Sequence, residues 1–101
     1  FTFYGFMPHK KGRETLFTTI AESEITSVFY ESVHRIEKTL EALVSHLGSS
    51  SPDIPRKVVI ARELTKIYEE VVRGTAEEVK EYFMNNKDHI RGEFVVIVEG
   101  K

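Results

Sequence analysis

Hydrophobic positions along this chain switch repeatedly between a period of two and a period near 3.6, and the switches divide it into alternating strands and helices. Phe3 to Phe6 reads as a short aromatic strand. Met7-Pro8 ends it, because proline has no amide to donate and biases the residue before it toward extended geometry. After the basic loop His9-Lys10-Lys11-Gly12-Arg13, the apolar residues Leu16, Phe17 and Ile20 recur at helical spacing and predict a short amphipathic helix from Arg13 to Glu22. Ser27 to Tyr30 is a second strand. Ser32 is suited to cap a second helix, its hydroxyl accepting from a free amide of the first turn, and Ile36, Leu40, Leu43, Val44 and Leu47 form the apolar stripe behind it, closed by Gly48.

The polar connection Ser49-Ser50-Ser51-Pro52-Asp53-Ile54-Pro55 leads to a third strand, Lys57 to Ala61, and Ile67 to Arg73 reads as a fourth, more exposed one. Thr75-Ala76-Glu77-Glu78 fits a capping box, in which Thr75 and Glu78 each satisfy the other's backbone amide, and Val79, Tyr82 and Phe83 supply a buried face before Asn85-Asn86 frays the helix. Phe94 to Val98 is an unbroken apolar run, the pattern of a central strand covered on both faces. The predicted order β-α-β-α-β-β-α-β makes an α/β fold, a layered domain with a mixed five-stranded sheet flanked by helices.

Composition narrows the classes of function. A chain of 101 residues is one domain. Its net charge of -2 argues against holding nucleic acid by bulk electrostatics, so any such contact is a local patch. With no cysteine there is neither a disulfide framework nor a thiolate metal site, which fits a reducing cytoplasm. Histidines without ligand spacing predict no metal centre. No apolar run approaches the roughly 20 residues that span a bilayer, so no membrane partner is expected. Because Phe1 runs straight into a strand-like segment, the chain is expected to be a piece of a longer protein.

The candidate chemistry lies at two strand ends, Phe29-Tyr30-Glu31-Ser32-Val33-His34-Arg35 and Ala61-Arg62-Glu63-Leu64-Thr65-Lys66, where open α/β sheets bind ligands. Glu31 there is either a hydrogen-bond acceptor or a carboxylate favoured by a helix dipole. His34 is either a neutral donor or acceptor at the same cleft or a satisfied structural residue. Leu64 is either a platform for a flat ring or a core plug. Arg35, Arg62 and Lys66 suit phosphate, since arginine offers a planar fork of donors; an internal ion pair from Arg62 to Glu31 or Glu63 is the competing reading. Lys10, Lys11 and Arg13 suit docking on a nucleic-acid backbone.

Those two blocks, with Gly5-Phe6-Met7-Pro8, Glu70 and Gly92-Glu93-Phe94-Val95-Val96-Ile97-Val98-Glu99-Gly100, in this order and spacing, resemble the carboxyl-terminal domain of the ribosomal RNA small subunit methyltransferase I family, within the tetrapyrrole (corrin/porphyrin) methylase superfamily. The resemblance implies a two-domain enzyme, dimeric in the family, that transfers a methyl group from S-adenosylmethionine to a cytidine ribose 2'-hydroxyl in the decoding region of small-subunit rRNA. It also implies a cofactor cleft shared with the protein's own amino-terminal domain, whose Gly-rich loop has no counterpart here, so that this chain alone is expected to be inactive. By the same resemblance the cofactor contacts fall on Tyr30, Glu31, Glu63, Leu64 and Thr65; the rRNA contacts expected from the charged residues themselves are Lys10, Lys11, Arg13, His34, Arg35, Arg62 and Lys66. A general base would be Glu31, Glu63 or Glu93, with nothing in the sequence to choose among them. Half of a corrin or porphyrin methyltransferase and a non-catalytic RNA or protein-binding module are the alternatives.

Overall fold

In the computed structural model, residues 1–47, 56–63 (Glu63 by its backbone) and 69–101 are described. They form β1 (Thr2–Phe6), α1 (Arg13–Glu22), β2 (Ser27–Glu31), α2 (Ile36–Leu47), β3 (Lys57–Glu63), β4 (Glu69–Thr75), α3 (Ala76–Asn85), a 3-10 turn (Lys87–His89) and β5 (Glu93–Val98), in the order expected from the hydrophobic pattern. Gly48, the connection from Ser49 to Pro55, the start of the fourth strand at Ile67, and the candidates Leu64, Thr65 and Lys66 lie outside the described residues.

The sheet is mixed, in the order β1-β2-β5-β3-β4, with β1 parallel to β2 and the other pairs antiparallel. Phe94–Val98 is therefore central. Directly opposed residues of an antiparallel ladder share a face. One face carries the rows Ser27, Val98, Val58; Phe29, Val96, Ile60, Val72; and Glu31, Phe94, Arg62, Glu70. All three helices pack on it: Phe17 of α1 meets Phe29 edge-on at 6.3 Å, Phe83 of α3 meets Phe94 at 5.9 Å, and α2 contributes Ile36, Leu40 and Leu43 to the same core.

The other face corrects the expectation that β5 is covered on both sides. Its rows, Tyr30, Val95, Ala61, Val71 and Val28, Ile97, Val59, Arg73, are apolar but for Arg73 at the edge, yet among the described residues no helix lies on them. Burial along β5 consequently alternates, complete at Phe94, Val96 and Val98 and partial at Val95 and Ile97. An apolar open face gives the same unbroken run as double coverage. Its aromatic end is built by a bulge: Gly5, at φ +69, shifts the register between Phe3 and Phe6, and both rings sit 5.2 Å from Tyr30.

The helix ends divide in the same way between expectation and correction. Thr75 Oγ1 accepts from the Glu78 amide and Glu78 Oε1 from the Thr75 amide, a complete capping box. The hydroxyl of Ser32, by contrast, accepts from Arg35 Nη1 at 3.4 Å rather than capping α2, and the carbonyl of Ser32 takes the amides of Arg35 and Ile36. A turn of chain thus separates Ser32 from the helix it was expected to start.

Candidate functional site

The register carries the ends of β1, β2 and β3 and the beginnings of β4 and β5 to one end of the sheet, since Phe6 pairs with Tyr30, Glu31 with Phe94, and Glu63 with both Glu69 and Glu93. A groove of about 460 Å³ opens there, with Phe6, Tyr30, Ala61, Val71 and Val95 from the open face among its lining residues. Glu69 and Glu93, both exposed, line it as well. A cavity of this size and largely apolar lining suits a small organic molecule held by a few polar groups.

Glu31, Arg62 and Glu70, from the strand row facing the helices, line the groove too, and both carboxylates are engaged by other side chains. Glu31, buried at 3% exposure, accepts from the Ser32 amide at one oxygen and from Arg13 Nη2 (3.2 Å) and Thr39 Oγ1 at the other. Arg13 in turn donates to Pro8 O and lies over the Phe17 ring. This candidate phosphate contact is thus the counter-ion that makes a buried glutamate tolerable. Glu70 holds a second network: Arg62 donates to it through Nε (3.1 Å) and Nη2 (3.0 Å), Tyr82 through its hydroxyl, and His89 Nδ1 lies 3.0 Å away. Burial opposes the charge on Glu70, but the bonds from Tyr82, His89 and Arg62 outweigh it and hold the carboxyl below its ordinary value. The same bond to Glu70, reinforced by burial, raises the Tyr82 phenol. Arg62 therefore has an internal ion pair, and its partner is Glu70.

The remaining candidates divide by exposure. Lys10, Lys11 and His34 project into solvent from the loops after β1 and β2, while Arg35 is half-buried and bonded to His9 Nδ1 at 3.0 Å. Tyr30 and Glu93 both line the groove, and the Glu93 carboxylate has no hydrogen-bond or ion-pair partner among the described residues. Of Glu63 only the backbone register is described. Sequence reasoning missed Phe6, Glu69 and Val71 in the groove and Tyr82 with His89 behind it. One signal for Tyr82 was present: a tyrosine assigned to a buried face needs a partner for its hydroxyl. Among the described residues no cluster of His, Asp and Glu could hold a metal ion, and no helix is long and apolar enough to cross a membrane.

No family model matches the chain. Individual relatives do: it is 41% identical to ribosomal RNA small subunit methyltransferase I of Haemophilus influenzae over 100% of its own length and 34% of that protein's. It is 42% identical to the Bacillus subtilis protein of the same name and 40% identical to that of Escherichia coli O157:H7, in each case over 99% of this chain, covering 32% and 34% of those proteins. The chain thus spans about a third of the length of these relatives. In structure it is similar to a cobalamin biosynthetic enzyme, cobalt precorrin-4 methyltransferase, at a TM-score of 0.64 and 17% identity, covering 97% of this chain and 39% of that one. Matched from end to end, the chain is a homologue of the carboxyl-terminal third of the ribosomal RNA small subunit methyltransferase I proteins, on a fold also found in a tetrapyrrole methyltransferase.

Proposed function

We propose that this chain is the carboxyl-terminal domain of a two-domain, cytoplasmic methyltransferase that uses S-adenosylmethionine to modify a cytidine ribose 2'-hydroxyl of small-subunit rRNA. The observation that carries this reading is the division of charge at one end of the sheet, where an apolar groove edged by Glu69 and Glu93 lies beside loops bearing Lys10, Lys11 and Arg35. The residues of the groove fit S-adenosylmethionine: Phe6 and Tyr30 offer aromatic surface to a purine, and exposed carboxylates suit a ligand with sulfonium and ammonium charges while repelling phosphate. When bound, the cofactor supplies the methyl group. The chain's own part is to hold the two reactants in line and to take up the hydroxyl proton.

For that proton Glu93 is better placed than Glu31, the other expected base whose side chain is described. It faces the groove unpaired, whereas both oxygens of Glu31 are committed to Arg13, Thr39 and the Ser32 amide. The rest of the full-length polypeptide completes the cofactor cleft and covers the open sheet face around Phe3, Phe6 and Val71.

Titrating S-adenosylmethionine into the full-length protein and into residues 1–101 tests the reading. Binding by the full-length protein and its near-absence from the isolated chain is the expected result; micromolar binding by the isolated chain overturns the two-domain cleft. In the full-length enzyme Tyr30→Ala should weaken cofactor binding, and Glu93→Gln should slow methylation of rRNA by a larger factor than it weakens cofactor binding.

A further inference from the structure

We propose that the turn before β5, which carries Lys87 and Arg91, is a third arm of the RNA-binding surface and holds backbone phosphates beside the loops after β1 and β2; the inference rests on the rRNA methyltransferase reading above. The topology places these segments together. The pairs Phe6 with Tyr30 and Glu31 with Phe94 bring residues 7–12, residues 32–35 and residues 86–92 out of the same end of three adjacent strands. Between them the segments carry Lys10, Lys11, Arg35, Lys87 and Arg91, against Asp88 as the sole carboxylate, in a chain whose net charge is -2. At the opposite end of the sheet Glu24 and Glu99 lie among Arg56, Lys57 and Lys101, so the charges there are of both signs. Positive charge is thus in excess on these three segments, beside a groove whose own rim carries Glu69 and Glu93.

Lys87 and Arg91 are exposed, and neither has an ion-pair partner among the described residues. Arg13 and Arg62 differ in this respect, because Glu31 and Glu70 take them. The turn is also held in shape. His89 Nδ1 meets Glu70 and Tyr82, the Asn86 side chain donates to the Tyr82 carbonyl, and the His89 and Ile90 amides donate to the carbonyls of Asn86 and Lys87. Cations presented on a fixed turn lose little conformational freedom on binding, which favours phosphate contact over the looser association of a mobile basic tail.

The test is equilibrium binding of the full-length protein to transcribed small-subunit rRNA across a salt series, with S-adenosylmethionine titration and thermal melting as controls. Lys87→Ala with Arg91→Ala should weaken RNA binding several-fold at low salt and flatten the plot of log affinity against log salt by about one to two units. Cofactor affinity and melting temperature should not move. The charge-conserving pair Lys87→Arg with Arg91→Lys should bind like the parent. Parental affinity and slope in the alanine pair, alongside a loss in Lys10→Ala with Lys11→Ala, removes the turn from the interface and leaves the rRNA reading standing. A parent protein with no salt-dependent RNA affinity overturns both.

Discussion

Arg62 Nη2 and Glu70 Oε1 stand 3.0 Å apart at positions that β3 and β4 pair directly across the ladder. Because Tyr82 and His89 reach the same carboxylate from α3 and the following turn, this one glutamate ties together a sheet edge, a helix and the approach to β5.

The pH response of that tie follows from the two displaced acid groups. Glu70 is held below its ordinary value, so its contribution is complete above the usual glutamate range near about 4.3 and is lost as pH falls through the lowered value. Tyr82 is raised, so its contribution is complete below about 10 and is lost as pH climbs through the raised value. The melting-temperature gap between the parent and Glu70→Gln should be constant near neutrality and close in acid. That between the parent and Tyr82→Phe should close in alkali. Gaps that ignore pH would show the network to be a set of uncharged contacts.

Core truncations should respect the two faces of β5. Phe94→Ala removes a ring packed on Phe83 and should cost about 3–5 kcal/mol. Ile97→Ala, on the partly exposed face, should cost markedly less in this chain. Denaturant unfolding of the two variants decides it, and equal losses would place a covering layer over the open face.

These two faces also mark what could be read from the sequence. Element order, the central place of Phe94–Val98 and the capping box at Thr75 were legible because each depends on residues within a few positions of one another. That Val95 and Ile97 face no helix was not, since an apolar open surface and a buried one look alike residue by residue. The pairings of Glu31 with Arg13 and of Glu70 with His89 escaped for a different reason. They join elements that meet only through tertiary packing, and a charged residue at a strand end reads equally well as a ligand contact or as half of an ion pair.

Arg56 is a third such case. Buried at 7% exposure, it donates through Nη1 and Nη2 to the carbonyls of Ala21 and Ile20 at the end of α1, and through Nε to Glu99 O. Burial lowers its affinity for the proton, partly countered by the Glu99 charge. Arg56→Ala should destabilise by about 2–3 kcal/mol, because charge-assisted bonds are lost and buried carbonyls left unpaired. Arg56→Lys should recover only part, an ammonium being unable to span the three acceptors. Full recovery by lysine in chemical unfolding would show that charge at the helix end, and not the fork, matters.

Ser27 is the converse. Its buried hydroxyl has no partner among the described residues, so Ser27→Ala should leave stability unchanged or raise it slightly. A loss above about 1 kcal/mol in the same assay would reveal a hydrogen bond to a buried water.

α1 is gripped at its first residue by the contacts of Arg13 and at its last turn by Arg56. A ten-residue helix with only Phe17 and Ile20 fully buried would otherwise be free to roll on the sheet. Fastened at both ends it acts as a tie rod: the strap bearing Lys10 and Lys11 leads directly into one anchored end, and Arg56 joins the other to Glu99 at the far rim of the sheet.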